Sequence, residues 1–146
     1  MKKKIFAFIL LFVSLVCRAQ GVFAPDYSKI FGVEASHEYI YFEEMVHGGD
    51  GFKLLTRIYL PKGDGPWPVV VTRTPYVYVG RGDNNTLGRE YAKRGIGYIQ
   101  QDCRGKGGSE GFYSPNIYER EDGKALYKWI SEQSWCESIG IFGTSY

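Results

Sequence analysis

Ile139-Gly140-Ile141-Phe142-Gly143-Thr144-Ser145-Tyr146 is an apolar run that closes in Gly-x-Ser. A run of this kind reads as a strand entering a sharp turn, on which a strained backbone lifts a nucleophilic serine hydroxyl above the end of a sheet. The turn's second glycine and the helix behind it would lie beyond Tyr146. Gly-x-Ser alone is a common pattern, so its meaning depends on the elements upstream.

Those elements change type in a definite order. Tyr39 to Val46 is aromatic and β-branched, Gly48-Gly49-Asp50-Gly51 supplies the glycines of a hairpin turn, and Phe52 to Leu60 reads as the returning antiparallel strand. Beyond the loop Pro61-Lys62-Gly63-Asp64-Gly65-Pro66, Trp67 to Arg73 carries Val69-Val70-Val71, the mark of a strand buried on both faces. Thr86 to Arg94 is expected to be a helix with Gly95 past its end, Ile96 to Gln101 a short strand, and Asp102 to Gly111 a glycine-rich loop. Glu119 to Gln133 is the strongest helix: Ala125, Leu126, Trp129 and Ile130 fall on one face, and Glu121, Lys124, Lys128 and Glu132 cover the other. A hairpin followed by strand, helix, strand, helix, strand predicts a three-layer α/β fold with a mostly parallel sheet. With the serine turn at its end, this is the N-terminal half of an α/β-hydrolase fold spanning residues 39–146. Gln20 to Glu38 has no sustained period and reads as an irregular leader.

The first residues do not belong to this fold. Lys2-Lys3-Lys4 is a basic start, Ile5 to Val16 is apolar but short for a bilayer, and Cys17-Arg18-Ala19 resembles a small-x-Ala cleavage site. Residues 1–19 are therefore expected to be a secretory signal, and the protein periplasmic or secreted. Lipid anchoring at Cys17 is disfavoured because Val16 stands where a small residue would be needed, and no stable membrane span is expected once the signal is removed. The whole chain carries 18 basic and 16 acidic residues. Losing Lys2, Lys3, Lys4 and Arg18 leaves 14 against 16, a net charge of −2. The apparent basicity is the signal's, so nothing favours a nucleic acid or an anionic membrane as partner.

Cys103 follows one expected strand and Cys136 precedes another that runs parallel to it. The two thiols then sit at opposite edges of the sheet, roughly a strand length of 15–20 Å apart, beyond the Cα separation of about 7 Å that a disulfide tolerates. Both are expected to be free.

Other motifs fail in context. Gly107-Gly108-Ser109-Glu110-Gly111 is a complete Gly-x-Ser-x-Gly, yet it has neither a strand directly before it nor a helix after it, so Ser109 reads as part of a glycine loop. Gly105-Lys106-Gly107 begins a dinucleotide fingerprint, but Glu110 stands where the third glycine belongs. Arg81-Gly82-Asp83 lies in a loop rich in Gly and Asn, where a turn explains it, and Asn84-Asn85-Thr86 is a formal glycosylation sequon. His37 and His47 precede Ser145, whereas the triad order in this fold is serine, acid, histidine, so neither is placed to be its base. With two histidines and no clustered cysteines or carboxylates, no metal site and no cofactor are expected.

Four stretches then combine. Arg73-Thr74-Pro75-Tyr76, Asp102 to Gly111, Trp129-Ile130-Ser131-Glu132-Gln133-Ser134-Trp135-Cys136 and Gly143-Thr144-Ser145-Tyr146 resemble, in order and spacing across residues 40–146, the N-terminal catalytic region of the cocaine esterase-like hydrolases. That group includes α-amino acid ester hydrolases and X-Pro dipeptidyl peptidases. The resemblance implies Ser145 as the acylated nucleophile, Tyr146 as an oxyanion donor through its backbone N–H, and Tyr76 as the second donor through its phenolic O–H. It implies that Asp102 and Arg104 buttress their loop by an ion pair or backbone hydrogen bonds. Val77 stands where relatives often carry a polar residue, which bears on substrate preference. In such relatives the acid, the histidine, a helical cap and a β-rich domain follow the serine.

The expected function is that of the N-terminal part of an exported serine hydrolase acting on a small-molecule ester, an amide or a short peptide. Residues 1–146 alone are expected to be inactive, because serine is a poor nucleophile without a base. The alternative from another class is a non-catalytic exported binding protein that retains the hydrolase half-fold.

Overall fold

A computed structural model describes residues 25–76, 82–143 and 145–146. The segment 1–19 expected to be a signal, Val77 and Arg81 lie outside the described residues. The chain divides into two units, Met1–Glu34 and Ala35–Tyr146. In the first, the expected irregular leader instead contains a short helix, α1 (Tyr27–Phe31). Its ends explain it: the Asp26 side chain accepts from Lys29 N at 3.3 Å, and Gly32, in the left-handed conformation at φ +66°, donates its N–H to Ser28 O at 2.8 Å. Local capping thus makes a turn of helix where no apolar period announces one.

The second unit contains β1 (Tyr39–His47), β2 (Lys53–Pro61), β3 (Trp67–Thr74), α2 (Thr86–Ala92), β4 (Gly97–Asp102), α3 (Glu119–Ser131) and β5 (Cys136–Ile141). The sheet order is β1-β2-β4-β3-β5. β1–β2 and β2–β4 pair antiparallel, and β4–β3 and β3–β5 pair parallel, so the sheet is mixed. The parallel half is the one that carries the serine turn.

Two chemically different layers cover the sheet. Under α3 the core is aliphatic, with Val46, Ile58, Leu60, Val69, Val71 and Ile99 packed on Leu126 and Ile130. Burying each such side chain contributes about 1.5–3 kcal/mol. Under α2 it is built of tyrosines: Tyr59 and Tyr98 are buried, Tyr41 lies over Tyr59, and Tyr91 stacks on Tyr98. Helix α2 comes down on this layer through Gly88, where a Cβ would fall 2.7 Å from the Tyr59 ring. Asn85 caps the helix by accepting from Gly88 N at 3.1 Å. Asp83 accepts from Tyr39 Oη at 2.8 Å, which gives the acid of the Arg81-Gly82-Asp83 stretch a structural use. Among the described residues no helix is long and apolar enough to cross a membrane.

Both expected free thiols are free. Cys136 pairs with Trp67 at one end of β3, while Cys103 follows Asp102, which pairs with Thr74 at the other. The intervening length of β3 is about 23 Å. Burial pushes the Cys103 thiol up to about 12, with the Glu119 carboxylate acting in the same direction. At pH 8 Cys103 is therefore expected to resist a thiol reagent such as dithiobisnitrobenzoate in the native protein. After denaturation without reductant, Cys103 and Cys136 should both alkylate. If neither is modified in the unfolded chain, the two are bonded and the strand register is wrong.

Candidate active site

The site forms where β3 and β5 end side by side. Val71 pairs with Ile141, and the contact continues one step further through Phe142 N, which donates to Val71 O at 2.9 Å. The chain then turns sharply. A Cβ on Gly143 would lie 2.9 Å from the Tyr146 carbonyl oxygen, closer than a side chain tolerates against backbone, so glycine is required there. Ser145 sits at φ +68°, a left-handed conformation uncommon for a residue with a side chain. The backbone thus has the strained form the sequence leads one to expect, and the serine hydroxyl is exposed.

Tyr76 reaches the same point from β3. Its N–H donates to Thr74 Oγ1 at 3.1 Å, which bends the chain out of the strand. Its phenolic oxygen then lies 3.2 Å from Ser145 Oγ, a hydrogen bond in which either hydroxyl can donate. Tyr146, the third expected site residue, is half-buried, and its hydroxyl accepts from Asn116 N at 3.2 Å. Burial pushes the Tyr146 phenol above its ordinary value, so it stays protonated at neutral pH. Two cavities flank this turn. One of about 400 Å³ opens beside Tyr76 on the α2 side, with Thr72, Leu87, Tyr98, Gln100 and Phe142 in its walls. The other, of about 350 Å³, lies against α3 and is bounded by Arg73, Glu119, Tyr127, Phe142 and Tyr146.

Behind the site is a set of buried charges. Asp102 and Arg104 do not pair with each other. Asp102 holds Arg57 of β2 through bonds of 2.7 and 3.2 Å and also accepts from Gly108 N at 3.1 Å. Arg104 binds the fully buried Asp122 of α3 at 2.6 and 3.2 Å and pairs with Asp50 of the hairpin turn. Its guanidinium is held above its ordinary value by the hydrogen bonds to Asp122 and Asp50. Arg73 reaches from β3 to Glu119 at 2.5 Å, and to Gln101 at 2.9 Å. Arg57, Glu119 and Asp122 carry structural roles that no motif reading assigned. Asp122 had a signal: it lies four and eight residues before Leu126 and Ile130, on the helix face that is buried.

The rejected candidates find other uses. Ser109 Oγ donates to Asp102 O at 2.8 Å and accepts from Leu55 N at 2.9 Å, so its hydroxyl is committed to holding the glycine loop on β2. Glu110 accepts from Lys53 N at 2.9 Å in the same lock. His37 packs edge-on against Trp67, the first residue of β3, with ring centroids 5.3 Å apart, at the opposite end of the sheet from Tyr76. His47 is on β1, four strand spacings or roughly 19 Å from β5. Its Nδ1 bonds Gly51 O at 3.1 Å.

Comparison with known proteins gives the family. Residues 50–146 match the family described as X-Pro dipeptidyl-peptidase (S15 family). The cocaine esterase of Rhodococcus sp. (strain MB1 Bresler) is 36% identical over 107 residues, which is 70% of this chain and 18% of that protein. A solved α-amino acid ester hydrolase superposes with a TM-score of 0.61 at 31% identity, over 84% of this chain and 24% of its own. An aminopeptidase from the marine sediment archaeon Thaumarchaeota archaeon gives 0.63 at 27% identity, over 85% and 23%. The chain thus spans about a fifth to a quarter of the length of these relatives. Since the matched segment takes in more than half of the sequence and includes every element from β2 to the Ser145 turn, the chain belongs to the X-Pro dipeptidyl-peptidase (S15) family of hydrolases.

Proposed function

We propose that this chain is the N-terminal catalytic portion of an exported serine hydrolase that cleaves ester or amide bonds through an acyl-enzyme on Ser145. The observation that carries the reading is the 3.2 Å approach of Tyr76 Oη to Ser145 Oγ, made by a serine at positive φ on a strand-to-turn junction. In the proposed cycle Ser145 Oγ attacks the substrate carbonyl carbon while a base takes its proton. The carbonyl oxygen becomes an oxyanion that accepts from Tyr76 Oη and from the backbone N–H of Tyr146. Collapse expels the alcohol or amine, which takes up the proton. Water then attacks the acyl-serine and releases the acid, restoring the hydroxyl.

The base must come from outside this chain's own histidines. His37 is at the wrong end of the sheet and His47 is four strands away, and neither could meet Ser145 Oγ within hydrogen-bond reach. A histidine and an acid following Tyr146 in the full-length polypeptide would complete the set.

Tyr76→Phe tests the proposal in the full-length protein. Losing one oxyanion donor typically lowers kcat by about 10²–10³-fold. The variant is expected to show that loss on a nitrophenyl ester with KM nearly unchanged, since the donor acts where charge develops. A Tyr76→Phe protein with wild-type kcat would remove Tyr76 from the reaction.

A further inference from the structure

Each tyrosine beside Ser145 is linked indirectly to the start of α3, Tyr76 through its chain neighbour Arg73 and Tyr146 through Asn116, which precedes the helix. Tyr76 lies just past Arg73 on the end of β3, and the Arg73 guanidinium is fastened to Glu119 by two bonds, 2.5 Å to its carboxylate and 2.9 Å to its carbonyl. Arg73 is 8% exposed and Glu119 21%, so this is a largely desolvated pair whose geometry is well determined. A second contact, 3.6 Å from Arg73 to the buried Asp122, steadies the same helix turn. On the other side, Asn116 lies just before Glu119 in the chain and is held at φ +63°. In that conformation its N–H donates to Tyr146 Oη at 3.2 Å. The run Tyr76–Arg73–Glu119–Asn116–Tyr146 is therefore a bridge that spans the Ser145 turn from both flanks.

We infer that Glu119 is a positioning residue: by holding Arg73, at the end of β3, to the segment that carries Asn116, it steadies Tyr76 on one flank of Ser145 and, through the Tyr146 side chain, the residue whose backbone N–H is the proposed second donor on the other. The inference rests on the proposal that Ser145, Tyr76 and Tyr146 form the reacting site. Glu119 itself touches no reacting atom. Its carboxylate accepts from Arg73 and, at 3.5 Å, from Cys103 Sγ. A tetrahedral oxyanion is more demanding than a ground-state carbonyl, since its donors must lie within about 2.7–3.1 Å of where the charge develops. Loosening the bridge should thus penalise the transition state and spare substrate binding.

The test uses the full-length protein. Glu119→Gln keeps the shape and removes the charge, and is expected to lower kcat about 10-fold with KM unchanged, a part of the roughly 100-fold that a misplacement of 1 Å can cost. The inhibition constant of phenylboronic acid, which forms a tetrahedral anionic adduct on a nucleophilic serine, should rise by the same factor as kcat/KM falls. A merely structural role would lower the melting temperature and leave that inhibition constant unmoved. Tyr146→Phe provides a second route that leaves the charge pair intact. It removes the hydroxyl that Asn116 and Tyr113 meet, and a fall in kcat of about 3-fold at constant KM is expected from a partial loss of alignment. Unchanged kcat and boronate affinity in Glu119→Gln overturn the inference, and if that variant does not fold, unchanged values in Tyr146→Phe do so. The underlying proposal fails differently, by Ser145→Ala retaining activity.

Discussion

Asp102→Ala is expected to destabilise the protein by about 3–5 kcal/mol, the usual consequence of removing one member of a buried ion pair. Arg57 and Asp102 are only 5% and 4% exposed, so the arginine left behind would keep its charge in the interior without its carboxylate. The same carboxylate also accepts from Gly108 N, and the loop that follows comes so close that a Cβ on Gly107 would sit 2.0 Å from Asp102 Oδ2. Truncation therefore frees the glycine loop as well as the arginine. A control separates charge from packing. Replacing both partners with apolar residues of similar size, Arg57→Met with Asp102→Leu, should cost less than Asp102→Ala alone, because it leaves no unpaired charge. Urea midpoints of the full-length variants measure both. A shift in Asp102→Ala worth less than about 1 kcal/mol, the level of an exposed pair, would mean that the two groups are solvated in solution.

Ser145→Ala is expected to lower kcat on the order of 10⁶-fold in the full-length protein, since the nucleophile and its base act as a unit and losing one loses their joint effect. Substrate binding should be retained, so the variant should still bind an unreactive substrate analogue. A fluorophosphonate probe should label one residue, Ser145, in the full-length wild type and none in the variant. The companion expectation concerns residues 1–146 alone, in which the distant His37 and His47 give Ser145 no base. That chain should show no steady turnover of a nitrophenyl ester. Turnover by residues 1–146 that Ser145→Ala abolishes would place a base within them and overturn the account of where it comes from.

Much of the fold is legible in the sequence. The hairpin, the Val69-Val70-Val71 strand, the helix from Glu119 and the final strand all occur within a few residues of where periodicity and glycines put them. These are local signals, written by alternation, by a helical stripe and by turn residues. The short helix in the leader is not legible there, because α1 depends on two end caps, Asp26 and Gly32, and presents no apolar stripe. The polar residues of Phe52 to Leu60 suggest a strand with one solvated face, yet β2 is buried almost throughout, because it lies between β1 and β4 with layers on both faces. Its polar members survive there by pairing, Thr56 with Gln101 and Arg57 with Asp102.

Sequence alone determined the fold class, the family, and the three residues, Tyr76, Ser145 and Tyr146, around which the site is proposed. Ser145 stands out because a nucleophile turn needs particular residues at adjacent positions, whereas Tyr76 and Tyr146 follow from the resemblance carried by four separated motifs. Tertiary structure alone decided how charges separated by tens of residues find one another: Arg73 with Glu119, Arg104 with Asp122 and Asp50, Arg57 with Asp102. A charged residue carries no local mark of its partner, and a buried one is tolerated only where the fold delivers the opposite charge. That delivery joins β3, which ends beside β5 just before Tyr76, to the first turns of α3.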